Sequence, residues 1–230
     1  MRIVTYNTRG CLGMDDVRSP ERIADVLRPL SPDIICFQEI HQKMFVSGRV
    51  DQPDVLSMLL SRPFYFHRTL RIGLGNYGIG IATRATIVAR KEHLLPSGKE
   101  QRGALELLLG NIDGWRRLTV FCTHWGLDPA ERMDQAKELT LLVNAAPRPV
   151  VVCGDLNEGP EGEGVQWLLS HTNLLDADAS RNRLTYDADN PSVRIDYCLY
   201  SAELSLQNCE IISSDASDHL PVLADLERSS

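Results

Sequence analysis

The chain has 230 residues, of which 43% are hydrophobic and 24% charged, and its formal net charge at pH 7 is −7. This composition is typical of a globular protein and excludes a disordered chain, because enough apolar surface is present to offset the entropy of ordering. No apolar run approaches the roughly 18 residues of a membrane span, and Met1–Thr8 lacks the apolar stretch of a signal peptide. We therefore expect a cytoplasmic protein without a transmembrane segment.

The six cysteines form no Cys-x-x-Cys pair and no Cys/His metal spacing. Four of them, Cys36, Cys122, Cys153 and Cys198, lie inside apolar runs, where a thiol behaves as a small buried hydrophobe. A disulfide scaffold is therefore not expected.

Charge is distributed unevenly along the chain. Residues 62–117 hold ten Lys/Arg and four Asp/Glu, whereas residues 118–230 hold seven and nineteen. The basic excess has two interpretations, which are solvated strand faces or a basic approach for a polyanionic substrate opposite an acidic, metal-collecting tail. The net acidity argues against a general nucleic-acid coat protein.

The first quarter of the chain alternates strands and helices. Arg2–Asn7 is predicted to be a strand, and Ser19 followed by Pro20 predicts the N-cap and first turn of a helix. Asp33–Gln38 is a continuous apolar run, typical of a strand buried on both faces. A second helix is predicted around Asp54–Leu60.

The rest of the chain is rich in predicted strands: Tyr77–Thr83, Thr86–Ala89, Ala104–Leu109, Arg117–Thr123, Val150–Cys153, Arg194–Tyr200, Leu206–Ile212 and Val222–Leu226. Asp113-Gly114 predicts a hairpin turn. Helices are predicted from Asp128 to about Asn144 and over Glu163–Leu169. Because many strands lack an intervening helix, the pattern favours mixed sheets with helices outside, and the lack of a linker favours one domain over residues 1–230.

Gly73-x-Gly75-x-x-Gly78 matches the dinucleotide-binding fingerprint in its letters alone. The fingerprint needs a helix after the glycines, so that the helix N-terminus can meet the pyrophosphate. A strand-like segment follows here instead. We interpret the glycines as a loop between strands.

Polar residues recur where the predicted buried strands end or within the late strands: Asn7, Glu39, His124, Asp155, Asn157, Asp196, Asp218 and His219. Each alone has an ordinary explanation as a turn or solvated residue. Together they are harder to dismiss, because carboxylates and imidazoles resist burial unless they are paired or metal-bound. Oxygen ligands favour Mg²⁺ or Mn²⁺ over zinc, and two histidines remain as donors or proton carriers. This combination fits hydrolysis of a phosphate ester.

Six sequence blocks carry a resemblance to a known family: TYN at 5–7, QE at 38–39, TH at 123–124, GDLN at 154–157, RIDY at 194–197 and SDHLPV at 217–222. In this order they resemble the endonuclease/exonuclease/phosphatase superfamily, the deoxyribonuclease-I-like metal-dependent phosphohydrolases. The resemblance implies an α/β (α+β) fold that is a four-layer sandwich, with two mixed β-sheets packed face to face and helices outside. It also implies that the active site lies at one end of the sandwich.

The resemblance implies roles for individual residues as well. The implied metal ligands are Asn7, Glu39, Asp155, Asn157, Asp218 and His219. The implied catalytic residues are His124, Asp155, Asn157, Asp196 and His219. Within these sets Glu39 is the principal metal ligand, Asp155 orients or deprotonates the attacking water, and His219 faces the scissile phosphate with Asp196 as its orienting carboxylate.

Three further residues are ambiguous. Arg84 and Arg102 lie in segments that also look family-like, and for both the sequence favours a structural ion pair over a phosphate contact. Trp125 either lines a substrate pocket or packs in the core.

These observations favour a phosphodiesterase that depends on Mg²⁺ or Mn²⁺ and cleaves by in-line attack of water on nucleic-acid ends or a small diester. The alternative is a phosphomonoesterase or lipid-headgroup phosphohydrolase that uses the same site. A non-catalytic binding module is disfavoured, because none of Glu39, Asp155 or His219 is lost. The oligomeric state stays open.

Overall fold

In the computed structural model, which describes residues 1–112, 114 and 117–229, strands and helices are interspersed along the chain. The strands are β1 Arg2–Asn7, β2 Ile34–Gln42, β3 Phe64–Ile72, β4 Gly75–Thr83, β5 Thr86–Leu94, β6 Gly103–Gly110, β7 Leu118–His124, β8 Val150–Asp155, β9 Leu174–Asp176, β10 Asp196–Ser201, β11 Leu204–Ile211 and β12 Val222–Arg228. The α-helices are α1 Pro20–Leu27, α2 Gln52–Leu60, α3 Pro129–Ala145 and α4 Glu163–His171.

The strands form two mixed sheets of six strands each. The first has the order β11-β12-β1-β2-β4-β3, and the second has the order β5-β6-β7-β8-β10-β9. Each sheet contains one parallel pair, β1 with β2 and β7 with β8, while its other neighbours are antiparallel. A helix connects the strands of each parallel pair, α1 in the first sheet and α3 in the second. The two sheets are therefore built on the same central strand–helix–strand unit.

Alternation along the buried strands produces three apolar layers. Ile3 and Ile34 belong to the cluster between the sheets, whereas their neighbours Val4 and Ile35 belong to the cluster beneath α1 and α2. A third cluster lies between the second sheet and the helices α3 and α4. Successive strand residues face opposite sides, so a strand buried on both faces supplies two layers. The fold is the predicted four-layer sandwich.

Helix starts follow the local sequence. The Ser19 hydroxyl accepts a hydrogen bond from Arg22 N, and Pro20 occupies the first turn of α1. The Asp128 carboxylate likewise accepts from Ala130 N and Glu131 N at the start of α3. Both caps satisfy backbone N–H groups that have no partner within the helix. None of the helices in the described ranges is long and apolar enough to cross a membrane.

Several predicted boundaries differ from the structure. β2 and β5 extend further than predicted, to Gln42 and Leu94, and the strands β3 and β9 were absent from the prediction. β3 is an edge strand whose half-buried residues lack a clear alternation. The glycine motif lies at the β3–β4 hairpin and is followed by a strand, which confirms that it is not a nucleotide loop. The hairpin between β6 and β7 is present, but Asp113 of its predicted turn lies outside the described residues.

Candidate active site

Polar residues lie where the two parallel strand pairs end. In the first sheet Asn7, the last residue of β1, is in register with Gln38 of β2. In the second sheet His124, the last residue of β7, is in register with Asp155, the last residue of β8. Parallel strands end at the same edge of a sheet, and Asn7 contacts Asp155 across the two sheets. The strand ends therefore meet at one end of the sandwich.

Glu39 has an unusual backbone conformation. Its φ of +58° lies in the left-handed region that residues other than glycine rarely adopt. It lies at a β-bulge, because the register of β2 with β4 shifts between Phe37 and Ile40. Asn7 Nδ2 donates to Glu39 Oε1 over 3.1 Å and to Asp155 Oδ2 over 2.9 Å. A strained backbone of this kind persists only where neighbouring residues hold it in place. Here it occurs at a bulge residue whose carboxylate is directed at the polar cluster.

His219 lies against two carboxylates. Its Nδ1 atom is 2.9 Å from Asp196 Oδ2, and its Nε2 atom is 3.7 Å from Asp155 Oδ2. Burial lowers the pKa of His219, but the charge and hydrogen bond of Asp196, together with the charges of Asp155 and Asp218, outweigh burial and raise the pKa to about 10. His219 is therefore protonated at neutral pH, and its Nε2–H faces Asp155.

His124 has a guanidinium beside its ring instead. Arg102 Nη1 is 3.0 Å from His124 Nδ1, and His124 Nε2 is 3.4 Å from Asp155 Oδ2. Burial, and then the charges of Arg102 and His219, hold the pKa of His124 well below its usual value, so this ring is neutral. The same Arg102 nitrogen is 3.3 Å from His124 Nε2, and Asn157 Nδ2 is 3.1 Å from Nε2, so donor groups lie beside both ring nitrogens.

Asp155 is the buried carboxylate between the two histidines. Its Oδ1 atom accepts from Asn157 N over 2.8 Å, and its Oδ2 atom accepts from Asn7 Nδ2. Burial raises the pKa of Asp155 to about 7, the charge of His219 opposes this shift, and the charge of Asp196 adds to it. A carboxyl group that titrates near neutral pH is suited to accept a proton from water.

Two further residues, Asn157 and Asp218, lie at the edge of the polar cluster. Asn157 has a φ of +50°, and its Nδ2 donates to Trp125 O over 2.9 Å. Asp218 Oδ2 is 3.3 Å from Arg9 Nε. Trp125 is fully buried in the cluster beneath α3 and α4, so packing is the correct one of its two interpretations.

A cavity of about 430 Å³ opens onto these groups. Six of the residues predicted from the sequence line it: Glu39, His124, Asp155, Asn157, Asp218 and His219. The other two, Asn7 and Asp196, lie behind this lining and hydrogen-bond to it. The structure thus brings all eight predicted residues together.

The sequence did not single out several residues that also line the cavity: Tyr77, Glu100, Leu127, Tyr186 and Ile195. Tyr186 lies in the irregular segment between β9 and β10, where no periodicity signals a function, and its ring centroid is 4.8 Å from that of His219. Arg102 makes the ion pair expected of it, with Glu100 Oε1 at 2.8 Å, and it also lines the cavity. Arg84 lies elsewhere, where its Nε donates to Ser61 O.

The donor set of the cluster fits a hard divalent cation. Asp155, Asp196 and His219 each offer a ligand atom within 4.8 Å of the other two. Because Asp196 is hydrogen-bonded to His219, the carboxylates of Glu39 and Asp155 are the better oxygen donors toward the cavity. All six cysteines are buried free thiols, and none is among the residues that line the cavity. The site therefore offers the oxygen ligands that hard cations such as Mg²⁺ and Mn²⁺ prefer.

Two facing mixed sheets between helices, with acids, amides and histidines at one end, define the fold and the candidate site. The sequence profile of the Endonuclease/Exonuclease/phosphatase family matches residues 4–219, and the chain belongs to this family. The family assignment made from the six sequence blocks is confirmed.

Individual relatives are more distant. The chain is 28% identical over 146 residues to the uncharacterized protein YbhP of Escherichia coli K12, a match that spans 59% of this chain and only 58% of that protein. Among solved structures, an endonuclease/exonuclease/phosphatase family protein of Bacteroides thetaiotaomicron is similar with a TM-score of 0.84 and 17% identity, over 100% of this chain and 98% of that one. A mannosyl-6-phosphatase of the same species is similar with a TM-score of 0.81 and 16% identity, over 99% of both chains. At these identities the solved structures show a shared fold.

Proposed function

We propose that this protein is a divalent-metal-dependent phosphodiesterase that uses in-line attack of water. The observation that carries the proposal is the pair of histidines on either side of Asp155, His219 beside Asp196 and His124 beside Arg102. Phosphate-ester hydrolysis needs a base for water and hydrogen-bond donors for the charge on the phosphoryl oxygens. These side chains supply both.

Asp155 is the proposed base. It orients the attacking water and accepts its proton, a role that fits a pKa of about 7. Asn7 Nδ2 and Asn157 N, which both donate to Asp155, hold the carboxylate in one orientation. The attacking oxygen is thereby directed toward the phosphorus from a fixed side.

The two histidines are the proposed donors to the phosphate. Protonated His219 donates from Nε2 to a phosphoryl oxygen, and Asp196 fixes its ring as a carboxylate does in a hydrolytic triad. Neutral His124, whose Nε2 is 3.4 Å from Asp155 Oδ2, is the second proposed donor, and Arg102 lies beside its ring. Arg102 adds a permanent positive charge at the cavity wall.

The proposed cation is Mg²⁺ or Mn²⁺. Glu39 would be its principal ligand, and the further ligands proposed from the sequence are Asn7, Asp155, Asn157, Asp218 and His219. A divalent ion bound there would offset negative charge on a phosphoryl oxygen and on the leaving oxygen. Asn7 Oδ1 accepts from Arg9 N, so in this arrangement Asn7 acts on the two neighbouring carboxylates through Nδ2.

The presence of a second cavity beside the first favours a diester over a monoester as the substrate. A second cavity of about 450 Å³ adjoins the first and shares Glu100, Arg102 and Leu127 with it. A diester carries a substituent on each side of the phosphorus, and this second cavity has room for the group that a monoester lacks. Nucleic-acid ends and small diesters are the proposed substrates.

The second candidate is a phosphomonoesterase or lipid-headgroup phosphohydrolase. The similarity in fold to a mannosyl-6-phosphatase supports it, and Arg102, His219 and a cation could together balance a dianionic phosphate. A non-catalytic binding module is the weakest candidate, because the base and both donors are present. The absence of disulfides among the six buried cysteines supports a cytoplasmic location.

The test compares hydrolysis of bis(nitrophenyl) phosphate with that of nitrophenyl phosphate, in Mg²⁺, in Mn²⁺ and in EDTA. We expect metal-dependent cleavage of the diester that is lost in Asp155→Ala. His171→Ala is the matched control for the histidine variants, because His171 is exposed on α4, stacked on Trp167 and remote from the cavity. Its activity should equal that of the unmodified protein.

Other outcomes would change the proposal. Preferential cleavage of the monoester would favour the phosphatase. Full activity in EDTA, or in Asp155→Ala, would contradict the mechanism. Turnover of neither ester, with tight binding of a phosphate-containing ligand, would favour the binding module.

A further inference from the structure

Two loops beside the site form a surface that is both apolar and basic. Residues 43–50 follow β2, and residues 71–75 form the tip of the β3–β4 hairpin. We call these two segments the basic rim. Five of its large apolar side chains are exposed, Phe45, Val46, Val50, Ile72 and Leu74, and the exposed fractions of Phe45 and Leu74 are 83% and 82%.

The backbone of the basic rim is held in place by specific contacts. A Cβ atom added at Gly75 would lie 2.5 Å from Met44 Cα, so the glycine allows the hairpin tip to approach the first loop directly. Arg18 Nε donates to Val46 O over 3.1 Å, and Arg49 N donates to Met44 O over 2.9 Å. The exposed apolar side chains therefore project from a hydrogen-bonded scaffold.

The charge of the basic rim is opposite to that of the whole chain. It contains Lys43, Arg49 and Arg71 and no acidic residue, while the protein has a net charge of −7. Lys43 lies 3.4 Å from Asp51, just outside the rim. Arg49 and Arg71 form no ion pair with any residue that the structure describes, so their charges are available to an anionic partner.

We propose that the basic rim is a docking surface for an anionic lipid bilayer. Apolar side chains at loop tips enter the boundary between headgroups and acyl chains, and cations beside them bind lipid phosphates. A second copy of this chain fits less well, because a symmetric contact would bring like charges together. A single-stranded nucleic acid also fits less well, because bases stack on aromatic rings and Phe45 is the only aromatic residue of the rim.

The basic rim adjoins the catalytic cavity. Tyr77 lines the cavity and follows Gly75 by two residues, and its ring centroid is 5.9 Å from that of His41. His41 in turn lies between Glu39 and the rim along β2. Docking would bring the cavity mouth close to the lipid surface. The docking is independent of the proposed function, because vesicle binding is measured without substrate or turnover.

The test is cosedimentation of the full chain with vesicles of phosphatidylcholine alone and of phosphatidylcholine with one third phosphatidylglycerol. We expect binding to the anionic vesicles, and at least about tenfold weaker binding to the neutral ones. Arg49→Ala with Arg71→Ala should weaken anionic binding by about fivefold per cation removed. Phe45→Ser with Leu74→Ser should weaken it by about tenfold or more, because both insertion points are lost.

The matched control is Met58→Ser with Leu141→Ser, which removes two apolar side chains that are 71% and 66% exposed on α2 and α3. Its binding should be unchanged, and circular dichroism melts should show every variant folded. No binding of the unmodified protein to anionic vesicles, or equal loss in the control, overturns the proposal. Binding of a single-stranded oligonucleotide without vesicle binding would assign the surface to nucleic acid, and a dimer dispersed by Phe45→Ser with Leu74→Ser would assign it to self-association. Either result also overturns the proposal.

Discussion

The two histidines of the site have opposite charge states because different residues lie beside their rings. His219 has the carboxylate of Asp196 at Nδ1 and is protonated, whereas His124 has the guanidinium of Arg102 beside its ring and is neutral. Both rings direct Nε2 toward Asp155. Burial lowers the pKa of both rings, and only at His219 does a neighbouring carboxylate outweigh it.

This asymmetry predicts unequal losses when each ring is removed. His219→Ala should lower kcat/KM for the diester by about 10³- to 10⁴-fold, because a charged donor is lost next to the reacting phosphate. His124→Ala should lower it by about 10²-fold, the usual effect of removing one neutral donor. Steady-state kinetics of both variants beside His171→Ala make the comparison. Equal losses would mean that the charge difference has no catalytic consequence.

A second variant removes the charge behind His219 while the ring remains. Asp196→Asn should lower kcat by about 10²- to 10³-fold, because the imidazole loses both its orienting acceptor and the carboxylate that favours its protonation. An NMR titration of the imidazole should show its pKa move down toward the usual histidine value. If kcat is unchanged while the pKa of His219 falls, the positive charge of the ring is not required for hydrolysis.

The residue behind His124 can be changed in the same way. Arg102→Gln should lower kcat/KM by about 10- to 100-fold, because the cavity loses a permanent positive charge and the ring of His124 loses the guanidinium beside it. Arg102→Lys should recover part of the activity if charge matters more than the planar fork. No recovery would indicate that the guanidinium geometry is what orients His124.

Substitution of Glu39 tests the requirement for a cation without changing either histidine. Glu39→Gln should raise the Mg²⁺ or Mn²⁺ concentration needed for half-maximal activity by about tenfold, because a neutral amide replaces a charged oxygen ligand. Titrating activity against metal separates this effect from a loss of kcat at saturation. An unchanged metal requirement would remove Glu39 from the set of ligands.

The smallest effect is on stability, and it has opposite signs at the two rings. The raised pKa of His219 contributes stability below pH 6.5 that is lost as the pH rises toward 10, whereas the lowered pKa of His124 makes folding less favourable as the pH falls below 6.5. In EDTA, the melting temperature of His219→Gln relative to the unmodified protein should therefore be lowest at acidic pH. That of His124→Gln should instead improve as the pH falls. Differences of a few degrees are expected, at about 2–4 °C per kcal/mol.

Much of the fold could be predicted from local patterns. The continuous apolar run before Gln38 predicted a strand buried on both faces, and Ser19 followed by Pro20 predicted the start of α1. The edge strand Phe64–Ile72 escaped prediction, because one exposed side leaves neither a continuous run nor strict alternation. The three-residue strand Leu174–Asp176 is shorter than any pattern that would signal it.

The site residues could be predicted where a polar side chain comes at the end of a buried strand, as it does at Asn7, His124 and Asp155. The left-handed backbone at Glu39 could not, because the bulge that causes it depends on the pairing of β2 with β4. The contact of Arg102 with His124 could not be predicted either, since it depends on the register that aligns Gly103 of β6 with His124. These features are tertiary consequences rather than local ones.

The position of β1 has a consequence for how the molecule is made. β1 lies between β2 and β12, and Asn7 of β1 contacts His219, which is 212 residues later in the chain. During synthesis the free edge of β1 therefore has no partner until β12 emerges from the ribosome. An unpaired strand edge invites wrong pairing, and closing so long a loop slows folding. Hydrolysis should consequently begin in a single late step, and nascent chains that stop before Val222 should have none.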